Sequence, residues 1–211
     1  ARATDRPALT ALGRLALRDG RTADAIRWLE RAHAVDAPSD RDGGDPGHAR
    51  ANLRYTLALA YERAQRFDDA ARVLLQVGAA STLGWLVPFA QGRIALRRGQ
   101  YADALSLLEP LTAGMQHAMP VGWWHALALA HALRGDTARA ADLAKLGLQA
   151  HAKAPRLCAV LATCAERRGA YDEARTWAER GLRDQSDYGP CLKNLADAFY
   201  GLRDFVNARA A

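Results

Sequence analysis

Lysine is nearly missing from this chain, present only at 145, 153 and 193, while arginine is abundant enough to leave a formal charge of +6 over 211 residues. With the many alanines, this bias reads as genome composition and not as a recognition signal. Cysteine is scarce and odd in number, at 158, 164 and 191. Cys158 and Cys164 are six apart on one predicted helix and face different sides, so no disulfide framework is encoded. A reducing, cytoplasmic compartment is the expectation, with a periplasmic one compatible. No stretch of about eighteen apolar residues occurs, which excludes a spanning helix, and the start ARATDRPALT lacks a basic-then-apolar leader pattern. The missing initiating Met, and an end at Ala211 partway through a repeat, suggest a piece of a longer polypeptide.

The patterns of catalysis are missing too. There is no Gly-x-Ser-x-Gly elbow, no phosphate-cradling Gly-rich loop ending in Lys-Ser or Lys-Thr, and no nucleotide fingerprint. The six histidines form no His-Glu-x-x-His run, and no close cysteine pair accompanies a histidine pair. Asp40, Asp42 and Asp45 prompt a calcium reading, but their offsets break the alternate-residue ligand spacing and no bidentate Glu follows. Neither a cofactor nor a metal is expected, and the segment reads as no enzyme. The cysteines read as small buried hydrophobes.

What is present is a ladder of small residues. Ala25, Ala70, Ala104, Ala140, Ala174 and Ala208 follow one another at intervals of 45, 34, 36, 34 and 34 residues, and each lies twelve after Gly13, Ala58, Gly92, Ala128, Ala162 or Ala196. A fixed period of this length marks a solenoid. Units are expected near 6–39, 51–84, 85–118, 121–154, 155–188 and 189–211, the last incomplete, with a loop insertion at 40–50 rich in turn formers. A two-residue excess near Met115 to Pro120 lengthens a second turn.

Each unit holds two helical patterns split by a breaker. In the second, Leu57, Ala58 and Tyr61 give three- and four-residue spacing, Gln65-Arg66 makes the turn, and Phe67, Ala70, Leu74 and Val77 resume it. Gly20, Gly99, Gly135 and Gly169 take the equivalent turn position elsewhere, where a left-handed residue commonly ends a helix. Small residues let paired helices approach closely. Leu12, Leu57, Leu127, Leu161 and Leu195 on first helices, with Leu29, Leu74 and Leu108 on second ones, are expected to fill the layer between units.

Charge follows the same period. Arg18, Arg63, Arg97, Arg98, Arg134, Arg167 and Arg168 gather in the last turn of first helices, and Asp24, Asp68, Asp69, Asp103, Asp172 and Glu173 at the starts of second ones. Each sign complements the macrodipole end beside it. The basic balance is therefore largely a property of the fold, and nucleic-acid binding is disfavoured.

Ala58, Tyr61, Phe67 and Ala70, like Gly92, Gly99, Tyr101 and Ala104, place a small residue, an aromatic and an alanine in an order that resembles the tetratricopeptide repeat family. The likeness spans nearly the whole chain. Ala16, Ala95, His131 and Ala165 depart from it where Tyr61 and Phe199 keep the aromatic, and Gln91 interrupts a leucine column. The resemblance implies an all-α, right-handed solenoid of tandem antiparallel helix hairpins, five complete and one partial, acting as a non-catalytic scaffold for protein partners. First helices of the family line a concave groove, which maps here to Thr10, Arg14, Asn52, Tyr55, Leu59, Phe89, Arg93, Leu96, His125, Leu129 and Leu133, with Arg63 and Arg97 at its rim. The family's Lys and Asn clamp for acidic chaperone tails is not matched, because Thr10, Arg14, Thr56, Leu86 and Ala90 stand at the offsets compared.

The leading expectation is a groove for a protein or peptide with apolar anchors and acidic flanks. One alternative is a regulatory or docking arm of an enzyme whose catalytic domain lies outside this segment. Another is self-assembly through exposed solenoid ends, where Phe199, Tyr200 and Phe205 lack a following unit.

Overall fold

The computed structural model describes residues 5–35, 46–77, 83–112 and 119–210. Among them lie twelve α-helices and no strand: α1 (Arg6–Arg18), α2 (Thr22–Ala34), α3 (Pro46–Arg63), α4 (Phe67–Leu75), α5 (Leu86–Arg97), α6 (Tyr101–Leu108), α7 (Val121–Arg134), α8 (Thr137–Ala150), α9 (Pro155–Arg167), α10 (Tyr171–Asp184), α11 (Gly189–Gly201) and α12 (Phe205–Ala210). A single 3-10 turn, Glu109–Thr112, follows α6. The fold is the all-α array of helix hairpins that the period implies. Two compact units divide the chain, Ala1–Gly99 and Gln100–Ala211.

One turn geometry recurs in every hairpin. Gly20, Gly99, Gly135 and Gly169 have φ of 77, 76, 95 and 75°, and Gln65 and Arg203 take the same left-handed place at 59 and 60°. At Gly20, Gln65, Gly135, Gly169 and Arg203 the next residue donates its N–H back across the turn, as in Arg21 to the Ala16 carbonyl at 2.8 Å and Arg66 to the Tyr61 carbonyl at 2.9 Å. These six-to-one bonds satisfy carbonyls that a helix end would otherwise leave unpaired.

In the first unit α1 packs on α2, α3 on α4 and α2, and α5 on α4 and α3. One core runs through it from Leu9 to Ile94, with Ala25, Ala60 and Ala70 fully buried. The ladder residues sit at close approaches. A Cβ at Gly13 would stand 2.5 Å from Leu29 Cγ, so the small residue admits a leucine of the paired helix as well as the alanine expected there. In the second unit α6 packs on α7, α7 on α8, α9 on α8 and α10, and α11 on α10 and α12. Ala104, Ala128, Ala140, Ala162 and Ala174 are fully buried in it.

The structure corrects three expectations. Helix α3 begins at Pro46, so residues 46–50 are helical and not loop; the fixed φ of proline suits the first helical position. Residues 40–45, which carry the calcium reading, and Met115 lie outside the described residues. Leu12 is 44% exposed, because no hairpin among the described residues covers its side of α1. Leu57, Leu127, Leu161, Leu29, Leu74 and Leu108 are buried as expected, while Leu195 is half-buried.

Candidate interaction groove

Helix α3 touches both α1 and α5, which brings the groove residues of the first unit onto neighbouring first helices. Tyr55 and Leu59 are half-buried on α3, and Leu96 is half-buried on α5. Burial pushes the Tyr55 hydroxyl up from its ordinary pKa, so the ring offers a neutral, amphipathic surface. Arg14 is exposed on α1 beside Thr10, and Asn52 on α3 is half-buried. These three line a hollow of about 560 Å3 with Arg6, Pro7, Ala11, Leu15, Arg18 and Ala49. Among the described residues no carboxylate lines it, and none pairs with Arg14 or Arg97.

Other expected rim and floor residues are engaged internally. Arg93 forms a two-pronged pair with Glu62, its Nε donating to Oε1 at 3.1 Å and its Nη2 bonding Oε2. Glu62 is only 11% exposed in that pair. Arg63 donates to the Leu17 carbonyl at 2.6 Å. Phe89 is 6% exposed, not part of an open floor. Trp85, one turn earlier, covers one side of its ring at 5.7 Å between centroids, and the Arg93 guanidinium lies 5.3 Å from the ring centre. An offset within the repeat locates a residue on a face; it does not show what the residue before it covers.

In the second unit His125 and Leu129 are half-buried on α7, and Leu133 is 37% exposed. Farther along, Asn194 on α11 donates to the Ala159 carbonyl at 2.8 Å and to Thr163 Oγ1 at 3.2 Å. Burial, reinforced by Asp197, raises the Glu166 carboxyl above its ordinary value.

Sequence reasoning missed several polar links between units. Tyr61 donates to Glu30 Oε1 at 2.7 Å; burial first, and this hydrogen bond second, push its hydroxyl up to about 12. At the matching repeat positions His131 lies 3.2 Å from Glu109, so the aromatic column keeps a polar contact to the preceding unit even where histidine replaces tyrosine. The pairing of Glu62 with Arg93 could have been read as opposite charges 31 residues apart, close to one period. Arg167 donates to the Ala132 carbonyl as Arg63 does to Leu17. These arginines thus answer the terminal carbonyls of a neighbouring helix in addition to the dipole of their own.

All three cysteines are free and buried. Burial raises each thiol, Cys191 to about 12, which keeps them protonated and poor nucleophiles. The described residues hold no group of three or more histidines, cysteines or acids able to bind a metal ion. None of the described helices is long and apolar enough to cross a membrane.

A left-handed turn repeated at one position, buried alanines twelve residues after a small residue, and first helices stacked side by side define a helical-hairpin repeat protein. Family models for the tetratricopeptide repeat match residues 8–42, 89–155 and 155–180, and the chain belongs to that family. Solved structures agree in fold. A tetratricopeptide repeat protein from Parabacteroides merdae superposes with a TM-score of 0.71 at 15% identity, covering 97% of this chain and 76% of its own. PilF of Pseudomonas aeruginosa gives 0.71 at 16%, covering 97% and 87%. A MamA protein gives 0.62 at 16%, covering 87% and 95%. No curated protein matches the chain.

Proposed function

We propose that this chain is a protein-interaction scaffold whose first unit holds a partner segment along α1, α3 and α5. The observation that carries the reading is the juxtaposition of an amphipathic floor, Tyr55, Leu59 and Leu96, with a basic hollow around Arg14 that no carboxylate among the described residues lines. Aromatic and arginine side chains at such a site supply most of the energy of a typical interface. The partner is a helix or extended segment with apolar anchors and acidic flanks, and its acids face Arg14 and Arg97. Arg63 and Arg93 hold the wall of the groove, since their guanidinium groups are spent on Leu17 and Glu62. Six hairpin units near the boundaries given above, the sixth partial, make up the array, and no catalytic step is assigned to it.

A photocrosslinking residue at Leu59 tests the reading in the source cell, with one at Arg72 on α4 as the control. The Leu59 probe is expected to trap a discrete partner that the Arg72 probe does not, and Arg14→Glu and Tyr55→Ala each to cut its yield at least about tenfold, the loss of roughly 1.4 kcal/mol of binding. Equal yields from both probes, or yields indifferent to Arg14, would overturn it.

A further inference from the structure

Within each unit, neighbouring hairpins stack in one register. Counted from the small residue of each first helix, positions five before, one before and three after lie a turn apart on one face, and that face meets the preceding hairpin. Leu157 and Cys191, each five before, press on glycines of the preceding second helix. A Cβ at Gly147 would stand 2.7 Å from Leu157 Cδ1, and one at Gly181 2.4 Å from Cys191 Sγ. Tyr61, three after, bonds Glu30. Arg63 and Arg167, five after, donate to the carbonyls of Leu17 and Ala132, each four after the small residue of the preceding first helix. Gly201, also five after, lies against the ring of Tyr171, the first residue of α10.

On α1 part of this face is open: Leu12, one before, and Leu15, two after, are 44% and 41% exposed, while Ala16, three after, is buried. Leu57, Leu127 and Leu161 at the position of Leu12, and Ala60, Ile94, Ala130, Cys164 and Ala198 at that of Leu15, are at most 2% exposed, with Leu195 half-buried. Arg18, the counterpart of Arg63, has a side chain 78% exposed, with Asp19 at 3.8 Å. The α11–α12 hairpin shows the complementary features. Its Tyr200 carbonyl is the counterpart of that of Leu17 and accepts the Arg203 N–H at 3.0 Å, as Leu17 accepts that of Gly20 at 3.2 Å. Phe205, the counterpart of Tyr171, is 54% exposed.

We propose that a second copy of this chain occupies the α1 face: α1 of one copy stacks on α11–α12 of another in the register used within the chain. Arg18 donates to the Tyr200 carbonyl across the Phe205 ring, and Leu12 and Leu15 are covered. The contact is heterologous, so it adds copies head to tail instead of closing a symmetric pair. Leu15 and Arg18 also line the hollow around Arg14, so a stacked copy and a partner held in that hollow compete for α1.

Sedimentation equilibrium of the 211-residue chain from about 1 µM to about 1 mM spans the affinities expected of so small a contact. The mass is expected to rise with concentration above the 22.9 kDa of one chain. Leu15→Glu, blocked at the head, and Phe205→Glu, blocked at the tail, should each stay at one chain mass with unchanged helicity. Their mixture should stop at two chains, because one open head still meets one open tail. A wild-type chain monomeric throughout, growth of Leu15→Glu alone, or a mixture that stays monomeric each overturns the proposal.

Discussion

At the residue scale Gly181 fits tightly against Cys191, where a Cβ would stand 2.4 Å from the sulfur and 3.1 Å from Cys158 Cβ. Alanine gains helix propensity over glycine, about 1 kcal/mol, yet overpacking of this kind costs about 1–3 kcal/mol. Gly181→Ala is therefore expected to destabilise. Adding Cys191→Ala should recover part of the loss, a coupling that a double-mutant cycle from denaturant unfolding measures; strict additivity would show that the two residues do not share the space.

The same thiol sets an alkaline limit. Its pKa lies near 12 in the folded chain against an ordinary 9.0, so the folded state holds the proton more tightly than the unfolded one. The stabilisation is fully present below pH 9 and is lost as pH rises towards 12. Cys158 and Cys164 shift in the same direction, also by burial. Unfolding midpoints should fall from pH 8 to pH 10.5, with a shallower fall in Cys191→Ala; parallel slopes would assign the alkaline loss to other groups.

At the element scale the left-handed turn residue sets how well each hairpin closes. Gln65 at φ 59° has the conformation that glycine adopts at Gly135, where φ is 95°. A side chain in that region costs about 1–2 kcal/mol, offset in part by the greater chain entropy that glycine loses on folding. Gln65→Gly is expected to raise stability by about 0.5–1 kcal/mol and Gly135→Ala to lower it by about 1 kcal/mol, read from urea midpoints at constant slope.

The period made these turns legible before any coordinates, because small residue, turn and alanine recur at fixed offsets whatever surrounds them. The start of α3 was not legible: Pro46-Gly47 sits at the end of a run of turn formers, and either a loop or a first helical turn suits proline. The candidate groove was legible as positions on first helices and not as a set of free groups. Tyr55 and Leu59 are half-buried and Arg14 exposed, but Phe89 is covered by Trp85 one turn before it and Arg93 is captured by Glu62 of α3. Pairings of that kind are decided by side-chain reach, which a repeat pattern does not encode.

At the scale of the whole molecule, the cores described are shared between neighbouring hairpins. Leu29, Leu57 and Leu74 belong to one cluster that runs from Leu9 to Ile94 inside the first unit, while Ala165, Ala174 and Ala198 form a cluster inside the second. In such an array stability is a sum of unit terms and nearest-neighbour interfaces, so a defect spreads to adjacent hairpins and fades beyond them. Leu57→Ala, at a site 1% exposed, should cost about 2–4 kcal/mol where it acts. Hydrogen exchange read amide by amide is expected to show faster opening in α1 to α5, with α9 to α11 nearly unchanged. Leu161→Ala, equally buried, should give the mirror result. Calorimetric and van't Hoff enthalpies should then disagree, since a chain with separable stretches does not unfold in one step. Uniform acceleration across all twelve helices by either variant would instead establish a single cooperative body.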